Sequence, residues 1–174
     1  MKRRERARQI ALQALYQMDV CGEEFGAAAV AFLRDGTRDP QVYFFARRLT
    51  EGTWPWREEA DRLIEEAAEH WQMPRMAAVD RNILRLATWE ICQAPDIPER
   101  VSIDQAIELA KAFSAGEAPA FVNGVLDRVL HLAREEGLLA SPAEADEAEA
   151  DEDEADEAGE ADEDEADEAG EVAE

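Results

Sequence analysis

The first eight residues of the sequence carry a dense cluster of positive charge that could bind phosphate groups. The cluster consists of Lys2, Arg3, Arg4, Arg6 and Arg8. Cations at the N-terminus of a helix oppose the helix dipole, so a purely structural role does not account for them. Basic clusters supply the salt-dependent part of the affinity for nucleic acids, which favours a phosphate-binding arm. The alternative interpretation is a frayed, solvated basic terminus.

A second group of polar side chains lies along one line of a predicted helix, much later in the chain. Asn123, Asp127 and His131 are spaced at i, i+4 and i+8, so Asp127 could orient His131 as a general base. No serine or cysteine nucleophile lies nearby, and a polar column is expected on the outer face of any amphipathic helix. The second histidine, His70, stands in an unrelated context. We therefore predict that the protein is not an enzyme and needs no metal or other cofactor.

Gly124 interrupts the same helix, in the stretch FVNGVLDR at 121–128. Glycine inside a helix costs about 1 kcal/mol relative to alanine. A chain so rich in alanine and leucine is expected to accept that cost only where another group approaches the backbone closely. That group is either a second helix or a bound ligand.

Two further polar residues flank apolar stripes and could contact a protein partner. Tyr16 lies four residues after Leu12, and Glu90 lies seven residues after Ile83. Tyrosine at a rim offers a large rigid surface with a polar tip, which suits protein recognition. The alternative is that both are rim residues satisfied by hydrogen bonds or water.

The elements that position these residues are predicted to be helices. Apolar residues recur at i, i+3 and i+4 through residues 1–140, and no segment shows the alternation of a half-buried strand. The sequence therefore predicts an all-α fold of about seven helices. Gly22 and Gly52 are predicted to end the first and third helices, and Trp71 to lie on the apolar face of the fourth.

The sixth helix carries its own start and stop signals. Ser102 and Gln105 have the form of a capping box, which predicts a helix beginning at Ser102. Gly116 is predicted to cap its C-terminus. The seventh helix is predicted from about Pro119 to Glu136.

The charge of the chain divides it into two parts. Residues 141–174 hold 19 acidic and no basic side chains, and the segment EADEDEADEAG occurs there twice. The whole chain has a net charge of −24, whereas residues 1–140 carry 18 basic and 23 acidic residues. We expect one helical RNA-binding domain at 1–140 and a disordered acidic tail at 141–174. The tail is either a solubility segment or a polyanion that competes with nucleic acid for the basic arm.

Cysteine usage and hydropathy predict the compartment. Cys21 and Cys92 are far apart and lack metal-binding spacing, and no apolar run has the length of an export signal or a membrane span. We expect reduced thiols, a cytoplasmic protein and no membrane partner.

Four segments together resemble the NusB family of bacterial transcription antitermination factors. They are RRERARQIALQALYQMD, DRNILRLATWEI, VSIDQAIELAKAFS and FVNGVLDRV, in the family's order within residues 3–134. The resemblance implies an all-helical protein built as two packed bundles. It also implies binding of boxA RNA together with NusE, a small-subunit ribosomal protein. The complex would then load onto RNA polymerase and suppress termination.

The resemblance also implies roles for particular residues. The basic arm and the FVNGVLD segment would face RNA, with Phe121 stacking on an unpaired base, Asn123 and Asp127 meeting base edges, and Gly124 allowing close approach. Tyr16 and Glu90 match positions that would face NusE. Trp89 departs from the pattern, because many relatives carry tyrosine there.

Other functions stay open at the level of sequence. The chain could be a protein-only helical scaffold in ribosome biogenesis, or a homodimer whose basic arm is occluded. It could also be a hydrolase that uses Asp127 and His131, although nothing in the sequence names a substrate.

Overall fold

The helices predicted from apolar periodicity form in a computed structural model, which describes residues 2–22, 24–69 and 71–140. These residues contain seven α-helices, one 3-10 turn at Met73–Arg75 and no strand. The helices are α1 (Arg3–Cys21), α2 (Ala27–Asp35), α3 (Pro40–Thr53), α4 (Arg57–Ala67), α5 (Ala78–Gln93), α6 (Glu99–Phe113) and α7 (Ala118–Glu136). The predicted all-α fold is confirmed. The acidic segment 141–174 lies outside the described residues.

The helices pack as two bundles that share α5. Helices α1, α2 and α3 pack on one another, and α4 and α6 both pack on α7. Helix α5 packs against α1 and α3 of the first group and against α4, α6 and α7 of the second. Its side chains from Asn82 to Cys92 are all buried. The two bundles are therefore joined by a common central helix.

The predicted helix ends are partly right. Gly22 adopts the left-handed conformation, with φ 67°, and its N–H donates to the carbonyl of Met18, which confirms it as the cap of α1. Gly116 is not the cap of α6, because α6 already ends at Phe113. The hydroxyl of the next residue, Ser114, donates to Asp80 on α5, a tertiary contact that local sequence does not reveal.

The predicted capping box at Ser102 is wrong. Helix α6 begins at Glu99, directly after Pro98, whose fixed φ suits the entry to a helix. Ser102 therefore lies a turn inside the helix, where it is buried and its hydroxyl has no hydrogen-bond partner among the described residues.

Gly52 does not end α3, which continues to Thr53. A Cβ atom at Gly52 would lie 2.1 Å from Cζ2 and 2.4 Å from Cε2 of Trp89. The Trp89 indole thus occupies the space that any side chain at position 52 would need. The residue that departs from the tyrosine of many relatives is the one that requires glycine here.

A buried network of charged side chains ties α1 to α4 and α5. Asp19 on α1 lies 2.6 Å from Arg81 and 3.0 Å from Arg85, and it accepts a 2.9 Å hydrogen bond from Asn82. Arg85 also forms a two-pronged pair with Asp61 on α4, with both distances at 2.7 Å. The network fixes the end of α1 against the second bundle.

This network predicts an acid-sensitive contribution to stability. Burial alone would raise the pKa of Asp19, but hydrogen bonds from Arg81, Asn82 and Arg85 outweigh it and hold the pKa below its ordinary value. A carboxyl whose pKa is lowered by folding stabilises the protein above its unfolded pKa, and that stabilisation is lost as the pH falls through the folded pKa. We expect the free energy of unfolding to fall more steeply below pH about 4 in the parent than in Asp19→Asn. Urea unfolding across a pH series measures this, and equal slopes would contradict it.

Candidate nucleic-acid interface

The basic arm is the first two turns of α1, and tertiary contacts hold it in place. Arg3 donates to Asp39 at 2.8 Å and to Gln41 at 2.6 Å, both at the start of α3. Arg6 donates to the carbonyl of Gly36 at 3.2 Å. These contacts do not favour the frayed terminus considered above, because the helix begins at Arg3 and its side chains are anchored.

Three cations of the arm remain accessible to a ligand. Lys2 and Arg4 are exposed, and the guanidinium of Arg4 lies over the ring of Phe45 at 5.0 Å from its centroid. The Arg3 side chain is 65% exposed despite its pairing with Asp39. Exposed pairs of this kind contribute little to stability, so Arg3 can exchange its carboxylate partner for a phosphate.

Arg8 differs from the rest of the arm because its side chain is buried. Its Nε and Nη2 atoms donate to the two carboxylate oxygens of Glu90 at 2.8 and 3.2 Å, and the two side chains are only 4% and 1% exposed. The Phe45 ring lies 5.3 Å from the guanidinium carbon. Arg8 is thus placed to fix α1 on α5, where it cannot contact a phosphate without leaving Glu90.

The predicted partner residues are not brought together. Tyr16 is 44% exposed on α1, and Val20, one turn later on the same face, is 57% exposed. Glu90 is buried beneath α1 and is not the rim residue that its sequence position suggests. The two exposed side chains of α1 leave an apolar strip that is available to a protein.

The second predicted site lies on α7. Phe121 and Asn123 are half-buried, while Gly124 and Asp127 are exposed. The amide nitrogen of Asn123 is 3.5 Å from Asp127, at the long limit for a hydrogen bond, so both groups can accept other partners. His131 pairs with Glu135 at 3.3 Å, so its printed partner is not the Asp127 required by the hydrolase interpretation.

The helix-packing explanation of Gly124 is wrong. A Cβ atom at this position would meet no other atom of the described chain within 4 Å. Gly52 is the helical glycine that makes room for a neighbour inside the protein. Of the two explanations for Gly124, the approach of a ligand is the one that remains.

The structure places the arm and the α7 site in different bundles. Helix α1 packs on α2, α3 and α5, whereas α7 packs on α4, α5 and α6. Between α1 and α6 lies an open groove of about 200 Å³, lined by Glu5, Gln9, Gln105 and Glu108 among others. The side chains of this groove are polar or acidic, so positive charge is concentrated at the arm.

Trp71 is the exposed aromatic residue that sequence periodicity misplaced. Helix α4 ends at Ala67, so Trp71 lies beyond it and is 55% exposed. Its ring contacts that of Phe121, with centroids 5.7 Å apart and planes inclined at 58°. The signal that could have revealed it is the helix-ending sequence before Pro74, which breaks the apolar stripe.

Other classes of site find little support in the described part of the chain. No group of three or more His, Cys, Asp or Glu side chains there could hold a metal ion. None of the described helices combines the length and apolarity required to cross a membrane. The described cysteines are free, and burial raises the pKa of the Cys92 thiol to about 12, which makes it unreactive.

Comparisons with known proteins point in one direction. The chain matches the model of the NusB family over residues 5–131. It is 44% identical over 135 residues to the transcription antitermination protein NusB of Symbiobacterium thermophilum, and the match covers 73% of this chain and 88% of that protein.

Solved structures of similar fold agree with this match. The NusB structure from T. maritima superposes with a TM-score of 0.66 at 36% identity, covering 74% of this chain and 90% of that one. A crystal structure of antitermination factors NusB and NusE in complex with dsRNA contains a chain that superposes with a TM-score of 0.68 at 27% identity. That match covers 76% of this chain and 98% of the other.

Proposed function

This chain belongs to the NusB family, and we propose that it is a transcription antitermination factor that binds boxA RNA of ribosomal RNA transcripts together with NusE. The observation that carries the proposal is the accessible charge of Lys2, Arg3 and Arg4 on an anchored helix. A similar protein in complex with NusE and dsRNA supports the assignment of both partners.

The two surfaces divide the work of RNA recognition. Contacts to phosphates position a nucleic acid, whereas contacts to bases specify its sequence. The arm on α1 supplies charge, and the α7 site supplies an aromatic ring and two side chains that can meet base edges, Asn123 and Asp127. A single RNA strand that crosses the molecule would touch both surfaces, which suits a short single-stranded element.

The apolar strip of α1 is the proposed contact for NusE. Tyr16 and Val20 present an exposed ring and an exposed aliphatic side chain one turn apart. Glu90 supports this surface indirectly, since it holds Arg8 and hence α1 in place. The complex with RNA and NusE would then join RNA polymerase and suppress premature termination.

Removing the charge of the arm is expected to weaken RNA binding mainly at low salt. In a Lys2→Gln, Arg3→Gln, Arg4→Gln variant, each lost phosphate contact should reduce the slope of log affinity against log salt concentration by about 0.7 to 1. Titration of a boxA oligonucleotide at two salt concentrations, with and without NusE, measures the change. Stability should be nearly unchanged, because these side chains are exposed.

A control with the same loss of charge separates the arm from net charge. Arg100, Lys111 and Arg134 are exposed cations on α6 and α7, and their triple glutamine variant should keep the parental salt slope. If the arm variant and the control bind RNA equally, the arm is not the phosphate site. If the parent does not bind RNA but sediments as a dimer, the occluded-arm scaffold is the better account.

A further inference from the structure

Trp71 is the most exposed of the four tryptophans, and the family match does not explain its exposure. Trp54 and Trp89 are buried, and Trp56 is half-buried. Exposing a large aromatic ring forgoes the favourable burial of its apolar surface. An exposed indole that is packed edge-on against a second ring is therefore a candidate for binding a flat ligand.

The chain on either side of Trp71 runs beside one face of α7. Phe121, Gly124 and Arg128 are spaced at i, i+3 and i+7, so they share this face. Phe121 contacts Trp71 at one end of it, and Arg128 donates to Glu69 at the other. Gly124 lies between these two contacts along the helix.

The absence of a side chain at Gly124 leaves an opening between the two contacts. No described atom lies within 4 Å of the position its Cβ would take. The opening, which we call the α7 notch, is bounded by the rings of Trp71 and Phe121 on one side and by the Arg128–Glu69 pair on the other. Gly124 forms its floor.

We propose that the α7 notch binds one unpaired base of the RNA, which stacks on Trp71 and Phe121. This inference rests on the proposed RNA-binding function and adds to it a second stacking residue, Trp71. Stacking on exposed aromatic rings is the usual way in which proteins hold single-stranded bases. The bare backbone at Gly124 lets the nucleotide approach α7 without a steric clash.

The side chains around the notch suit a base better than an apolar side chain of a protein partner. Asn123 and Asp127 lie on α7 next to Gly124, and their mutual contact is long enough to be exchanged for base edges. Arg128 is half exposed, and its pair with Glu69 is a surface pair that can yield to a phosphate. A flat ring with polar edges and a flanking phosphate uses every one of these groups.

The test uses RNA oligonucleotides in which one base at a time is replaced by an abasic site. The parent protein should lose at least about fivefold in affinity at the one position whose base occupies the notch. Trp71→Ala should lose a similar factor on the intact RNA and lose nothing more at that abasic position. Trp71→Phe should retain most of the affinity, because phenylalanine also stacks.

Two controls separate stacking from general effects. Phe113→Ala removes another exposed ring, 38% exposed at the end of α6, and should leave RNA affinity unchanged. The salt slope of Trp71→Ala should equal that of the parent, since no phosphate contact of the arm is lost. In addition, RNA should shield the Trp71 fluorescence from a collisional quencher in the parent.

The outcomes distinguish this inference from the proposed function. If the parent binds boxA RNA and Trp71→Ala binds it equally well, the notch proposal is overturned while the RNA-binding function stands. If the parent binds no RNA, the proposed function itself fails. Loss of NusE binding in Trp71→Ala, with RNA affinity intact, would make the notch a protein site and overturn the proposal.

Discussion

Replacing Glu90 with alanine is expected to lower the free energy of unfolding by about 3–5 kcal/mol, because it leaves the Arg8 guanidinium buried without its carboxylate. The pair is the most deeply buried of the ion pairs described here, and both hydrogen bonds of the guanidinium to Glu90 would be lost together. Arg8→Ala should cost a similar amount for the same reason. Urea denaturation followed by far-ultraviolet circular dichroism measures both.

The double variant Arg8→Met, Glu90→Leu tests the cause of this loss. It removes both charges and keeps most of the volume, so it should be much more stable than either single variant. Arg47→Ala provides a matched control, because Arg47 forms an exposed pair with Glu51 whose loss should cost less than about 1 kcal/mol. A single variant as stable as that control would show that Arg8 and Glu90 do not anchor α1.

Gly52→Ala and Gly124→Ala are expected to change stability in opposite directions. Both glycines lie inside helices, where alanine is favoured by about 1 kcal/mol on propensity alone. At Gly124 nothing opposes this gain, so the alanine variant should be more stable by up to about that amount. At Gly52 the new methyl group would overlap Trp89, and overpacking of this kind costs about 1–3 kcal/mol or more.

The comparison of the two variants is its own control, since the chemical change is identical. Thermal and urea denaturation give the two changes in free energy, and near-ultraviolet circular dichroism reports on the Trp89 environment. Gly52→Ala, Trp89→Tyr should be less destabilised than Gly52→Ala alone if the indole is the obstacle. Equal stabilisation in both single variants would contradict the close packing of Gly52 and Trp89.

The sequence predicts well the features that depend on neighbours along the chain. Apolar spacing located the seven helices, and the left-handed cap at Gly22 followed from glycine's conformational freedom. The bounds of α7 were predicted to within one residue. Each of these depends on contacts within a few residues, which periodicity and capping rules describe.

Features that depend on distant residues could not be read in the same way. Arg4 and Arg8 look equivalent in the sequence, yet only Arg8 faces Glu90, 82 positions away. Gly52 and Gly124 also look alike, and only the position of Trp89 separates them. The exposed ring of Trp71 was missed because its stripe appeared to continue α4. The site residues assigned by resemblance still stand as predictions for the RNA titrations.

The sharing of α5 has a consequence for the way the domain comes apart. Because α5 contributes buried side chains to both groups of helices, neither group keeps a complete core when the other is lost. Partial melting of one bundle would strip α5 of half its partners, so the two halves should open together as a single cooperative unit. The arm on α1 and the notch beside α7 then appear and disappear at once, so the population that can recognise RNA is the fully folded population alone.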